Sequence, residues 1–117
     1  MITLYGIPNC DTVKRARKTL QDAGVDFQFH DVRRDGLDRK QVQTWWDELG
    51  EALINQRGTT WRKLSDAEKQ QAEDDPIGLL MAHPAMIKRP LIDKQGHLRL
   101  GFPAKQADEI INWLKDQ

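Results

Sequence analysis

The chain has 117 residues, with 18 lysines and arginines balanced by 18 aspartates and glutamates, 38% hydrophobic residues and a single cysteine. This length supports one domain, residues 1–117, around one main core without staples, and a net charge of zero leaves no overall field to draw the protein to nucleic acid or an anionic membrane surface. One cysteine excludes an internal disulfide, no N-terminal apolar core marks a leader, and no apolar run is long enough to span a bilayer, so a cytoplasmic, reducing setting is expected.

Ile2-Thr3-Leu4-Tyr5 reads as a short strand, and Val13, Ala16, Leu20 and Ala23 then recur at helical spacing up to Gly24. Between them, Gly6-Ile7-Pro8-Asn9-Cys10 forms a shaped loop that places Cys10 at the start of the helix. Unpaired backbone N–H groups and the positive end of the helix dipole favour a thiolate there. Gly6 lets backbone or ligand approach closely, Asn9 and Thr12 are candidate hydrogen-bond donors to the sulfur, and the adjacent Asp11 carboxylate opposes ionisation.

Val25 to His30 alternates with period two and predicts a second strand, parallel to the first. Arg33-Arg34-Asp35-Gly36 reads as an exposed turn. Asp38 can cap a helix whose apolar side is Val42, Trp45, Trp46 and Leu49; at that spacing the paired tryptophans belong to packing rather than to a stacking platform. The stretch Asn55 to Leu64 collects Arg57, Gly58, Thr59, Thr60, Trp61, Arg62 and Lys63, a mixture that suits either an anion-binding loop or a solvated connector. Ser65-Asp66-Ala67-Glu68 fits a capping box, and Asp75-Pro76 fits the N-cap and first position of a further helix carrying Ile77, Leu80 and Met81.

Pro90 precedes a Leu91-Ile92 strand, Lys94-Gln95-Gly96-His97 turns the chain, and Leu98-Arg99-Leu100 returns antiparallel. A last helix buries Ala107, Ile110, Ile111 and Leu114. The order is β-α-β, a helical insertion over about residues 38–84, then β-β-α, an α/β chain. His30, His83 and His97 lie on separate elements with no second cysteine, so no metal site is expected. Phosphate-binding glycine loops are absent.

A strand, a cysteine at a helix start, a second parallel strand, and an X-Pro before a hairpin and final helix resemble a thioredoxin/glutaredoxin-like fold with a four-stranded mixed sheet. Leu4 to Thr12, Arg57 to Leu64 and Ile87 to Leu91 together resemble the arsenate reductase and Spx-like family, in its YffB-like branch, over essentially the full length. The resemblance implies that Cys10 is the nucleophile, that Arg57 and Arg89 lower its pKa and bind an anion or the carboxylates of glutathione, and that Pro90 is a cis-proline. Thr59, Thr60, Arg62 and Gly6 are further binding candidates by position.

Three departures from the family pattern bear on activity. By the resemblance, Phe102 occupies the place of a third arginine, which weakens the case for arsenate unless Lys105 or Arg62 substitutes, while still suiting a larger, partly apolar thiol. Gly6 replaces a histidine. Val13 stands where Spx-like regulators have a second cysteine, which removes an internal dithiol. The expected activity is a glutathione-dependent thiol-disulfide reductase using one cysteine, with glutathione as the external thiol and a small thiol, disulfide or oxyanion as partner. The alternatives are a glutathione-linked arsenate reductase and a non-catalytic, Spx-like protein-binding adaptor, though no protein partner is indicated.

Overall fold

The computed structural model describes residues 1–116. The chain separates into two compact units, one made of Met1–Asp31 with the stretch from Arg89 onward, the other of Val32–Lys88.

The first unit holds β1 (Ile2–Gly6), α1 (Asp11–Asp22), β2 (Gln28–Asp31), β3 (Leu91–Lys94), β4 (His97–Leu100) and, at its end, the helix Ala107–Lys115. The strands form one mixed sheet in the order β2-β1-β3-β4: β1 runs parallel to β2 and antiparallel to β3, and β4 returns against β3. This is the β-α-β then β-β-α arrangement of a thioredoxin-like α/β fold. Leu4 and Ile92, opposite each other in register, join Val13, Ala16 and Leu20 of α1 and Ile110 and Leu114 of the last helix in one core cluster. The period-2 and period-3.6 patterns thus meet on one face of the sheet.

The second strand is shorter than its alternation predicts, beginning at Gln28 rather than Val25. The reason lies at the end of α1. The Gly24 N–H donates to Gln21 O at 3.1 Å and the Val25 N–H to Leu20 O at 3.0 Å, with Gly24 at φ +74°. This is a Schellman closure, which claims the Val25 N–H before any sheet ladder can use it. The β3–β4 turn is the two-residue Gln95-Gly96, both with positive φ, as a type I′ hairpin requires.

The second unit holds α2 (Arg39–Leu49), α3 (Thr59–Arg62), α4 (Asp66–Asp74) and α5 (Pro76–Ala82), with 3₁₀ turns at Gly50–Leu53 and Pro84–Met86. Its helices begin where the sequence places them. The Asp38 side chain accepts from Lys40 N–H, Ser65 and Glu68 close both halves of a capping box, and Asp75 accepts from Gly78 N–H ahead of Pro76. On α5 the buried residues are Ile77, Leu79 and Leu80; Met81, expected inside, is partly exposed. The short helix α3 falls in a stretch whose sequence reads as loop, too short for periodicity to register. The final helix of the first unit is α6.

Candidate functional site

The β1 strand ends at Gly6, and the chain turns through Ile7-Pro8-Asn9-Cys10, where the Cys10 N–H donates to Ile7 O at 3.1 Å. Proline's fixed φ suits the second position of such a turn. Cys10 is the N-cap of α1, at φ −86° and ψ 126°, and its carbonyl accepts from Lys14 N–H at 2.9 Å. The sulfur therefore sits at the positive end of a helix, partly exposed and packed on one side against the core cluster.

Burial pushes the Cys10 thiol up. The Val13 N–H, the Arg89 side chain by hydrogen bond and by charge, and the Thr12 N–H pull it down, and together they leave it below its ordinary value. Neither backbone N–H closes a tight cap bond to the sulfur; they act as donors aimed at the charge. The upward push comes from burial, and the neighbouring Asp11 carboxylate does not reverse the direction. Thr12 contributes through its backbone rather than its hydroxyl. Asn9 is exposed in the turn.

Gly6 is buried, and a Cβ there would lie 2.7 Å from Val13 Cγ2. The close approach expected at this glycine is therefore made by α1 itself and not by a ligand. Without a side chain, Gly6 admits the first turn of the helix against β1, and so sets where Val13 N–H and the Cys10 sulfur stand. Arg89, two residues before β3, reaches the same sulfur, and the Arg89–Pro90 peptide bond is cis.

Phe102 does not offer its ring to a ligand: it is 2% exposed and belongs to the core cluster. The Arg15 guanidinium donates to the Phe102 carbonyl and lies 6.0 Å from the ring centroid. Arg15 thereby ties the segment before α6 to the cysteine-bearing helix. It escapes a sequence reading because Lys14, Arg15, Arg17 and Lys18 look like one solvated helix face. Lys105 is exposed on the 3₁₀ turn Ala104–Gln106.

The remaining candidates lie in the second unit. Arg57 is exposed in a turn ahead of α3, its N–H donating to Asn55 Oδ1 at 3.2 Å. It lines a groove of about 490 Å³ with Glu51, Asn55, Gln56 and Lys88. Thr59 and Thr60 line a different concavity, with Lys63, Glu68 and His83, so the basic, hydroxyl-rich stretch does not form one loop around one anion. Arg62 is exposed at the end of α3. Among the described residues no group of three or more His, Cys, Asp or Glu side chains is placed to hold a metal ion, and no helix is long and apolar enough to cross a membrane.

The ArsC family model matches residues 5–110. An uncharacterised protein of Haemophilus influenzae is 41% identical over 112 residues, covering 91% of this chain and 95% of its own. The global transcriptional regulator Spx of Streptococcus pyogenes is 29% identical over 117 residues, covering 97% of this chain and 85% of its own. The solved structure of a YffB protein matches with a TM-score of 0.87 at 39% identity, over 97% of this chain and 99% of that one.

Proposed function

The chain belongs to the ArsC family, and from that membership we propose that it is a cytoplasmic, glutathione-dependent thiol-disulfide reductase with Cys10 as its one nucleophile. The observation that carries this reading is the thiol held below its ordinary pKa by Arg89 and by the N–H groups of the first helical turn. A larger thiolate fraction at neutral pH is what a nucleophilic cysteine needs. Membership in the family supports oxidoreductase chemistry in general; the external thiol is the finer part of the proposal.

The Cys10 thiolate attacks the glutathione sulfur of a mixed disulfide substrate. A bond forms between Cys10 Sγ and that sulfur, and the substrate leaves as a thiolate. Because the chain has no second cysteine, resolution falls to a thiol from solution. A second glutathione thiolate attacks the sulfur of the bound glutathione, Cys10 leaves as thiolate, and oxidised glutathione departs. The net exchange turns the mixed disulfide and one glutathione thiolate into the substrate thiolate and oxidised glutathione: the incoming glutathione sulfur is oxidised as the substrate sulfur is reduced. Arg89 favours the thiolate both as nucleophile and as leaving group.

The test is reduction of a glutathione-containing mixed disulfide by the purified chain, with mass detection of a Cys10–glutathione adduct and a parallel arsenate assay. Turnover and adduct, both abolished in Cys10→Ser, are expected. Arsenate turnover without disulfide turnover would move the assignment to the other family enzyme. The likeness to Spx supports a second reading, a protein-binding adaptor, and that reading requires partner affinity to survive Cys10→Ser with no turnover in the wild type.

A further inference from the structure

The outward side of α1 carries charge that the exchange at Cys10 does not use. Lys14, Arg15, Arg17 and Lys18 place four cations within five residues, in a chain whose net charge is zero. Arg15 turns aside to the Phe102 carbonyl. Lys14, Arg17 and Gln21 follow Cys10 at four, seven and eleven residues, the spacing of one helix face, and Lys18 stands beside them. These four side chains line one concavity of about 220 Å³, while Val13, Ala16 and Leu20 hold the buried side of the helix in the core. Stripe and sulfur belong to the same compact unit.

The cations of the stripe stand ready for an anion. The Arg17 guanidinium lies over the Phe29 ring, 4.1 Å from its centroid, and Phe29 packs from β2 against the core cluster. That contact restrains the guanidinium and leaves its N–H edge, which can take a carboxylate through two parallel hydrogen bonds. Among the described residues neither Lys14 nor Arg17 has an ion-pair partner. Lys18 pairs with Asp22 at 3.3 Å, both side chains largely exposed, where such a pair is worth little.

Charge and length select the ligand class. Asp11 and Asp22 stand at the two ends of α1, so a nucleic acid, whose negative charge continues past both ends, meets repulsion that a short acidic peptide avoids. Lys14 lies about 6 Å and Lys18 about 12 Å along the helix from Cys10, at about 1.5 Å per residue. An extended peptide advances about 3.3 Å per residue, so carboxylates about two and about four residues from a cysteine held at Cys10 meet Lys14 and the Arg17–Lys18 pair. We infer that the exposed face of α1 docks an acidic segment of a glutathionylated protein, with its carboxylates on Lys14, Arg17 and Lys18 and its modified cysteine at Cys10. The inference rests on the glutathione-dependent reading and gives it a substrate class: the glutathione sulfur passes to Cys10, and the protein cysteine leaves as the thiolate.

Two synthetic peptides test it, each with one glutathionylated cysteine, one carrying glutamates and the other glutamines two and four residues to either side. With glutathione as reductant, kcat/KM for release of the peptide thiol should be about tenfold higher for the glutamate peptide, as a few exposed ion pairs together allow. That ratio should shrink as salt is raised. Lys14→Gln with Arg17→Gln should bring it to about twofold, whereas Lys115→Gln, which removes a charge from the end of α6, should leave it as in wild type. Equal rates on the two peptides, or a ratio that survives the double variant, overturn the inference and leave the reductase standing. S-methylated forms of both peptides, which cannot react, report binding by fluorescence anisotropy. Tighter binding of the glutamate form without turnover of either disulfide keeps the docking surface and removes the reductase. Displacement of that peptide by a single-stranded oligonucleotide at lower concentration than by unlabelled peptide would give the stripe to nucleic acid and overturn the inference.

Discussion

The Arg89 side chain hydrogen-bonds the Cys10 sulfur, joining the residue two before β3 to the N-cap of α1. Helix start and guanidinium act in the same direction on one thiol, and their combined pull exceeds the cost of its burial.

Removing that guanidinium in Arg89→Ala should move the pH midpoint of Cys10 alkylation upward and slow alkylation at neutral pH. Rates of iodoacetamide labelling across a pH series measure it. A midpoint unchanged from wild type would show that the helix terminus alone sets the thiol.

The depressed thiol also couples to stability. Between the folded pKa and the higher unfolded one, the unfolded chain binds more protons than the native one, so stability rises with pH through that window. It is lost again as pH falls through the folded pKa. Urea denaturation across that range should show the rise in wild type and a flatter profile in Cys10→Ser; equal slopes would contradict the coupling.

Gly6→Ala places a methyl group 2.7 Å from Val13 Cγ2 and should cost about 1–3 kcal/mol, as overpacking in a close-packed interior does. Because the clash is with one side chain, Val13→Ala should relieve it. The double variant should be more stable than the sum of the single losses predicts, by about 0.5 kcal/mol or more. Strict additivity in a denaturation cycle would mean that the contact does not set the spacing of α1 and β1.

Phe102→Ala should cost about 3–5 kcal/mol, the penalty of truncating a buried phenylalanine. Phe102→Arg should destabilise the chain by burying a charge among apolar groups, without creating arsenate turnover. Denaturation midpoints and an arsenate assay decide this, and a stable, arsenate-reducing Phe102→Arg would refute it.

Much of the architecture is legible in local sequence because local rules govern it. The 3.6-residue spacing of Val13, Ala16 and Leu20 marks the buried side of α1, and Asp38, Ser65 with Glu68, and Asp75 mark helix starts through hydrogen bonds that span three residues or fewer. Cys10 at a helix N-terminus is equally local. Sequence misleads where two elements compete for one donor, as with the Val25 N–H taken by the end of α1; for Asn55 to Leu64 it leaves two readings open, and only the fold shows Arg57 and the Thr59-Thr60 pair lining different concavities.

By itself the sequence determined that one cysteine would stand at a helix start with no internal thiol to resolve it. Only the tertiary structure decided what surrounds that sulfur. It brought Arg89 to it, filled the space over Gly6 with Val13, and drew Phe102 into the core with its carbonyl on Arg15. Spacing along a chain sets which face a residue presents, whereas the field at a thiol is set by groups that meet through space, and those meetings depend on sheet register and helix packing.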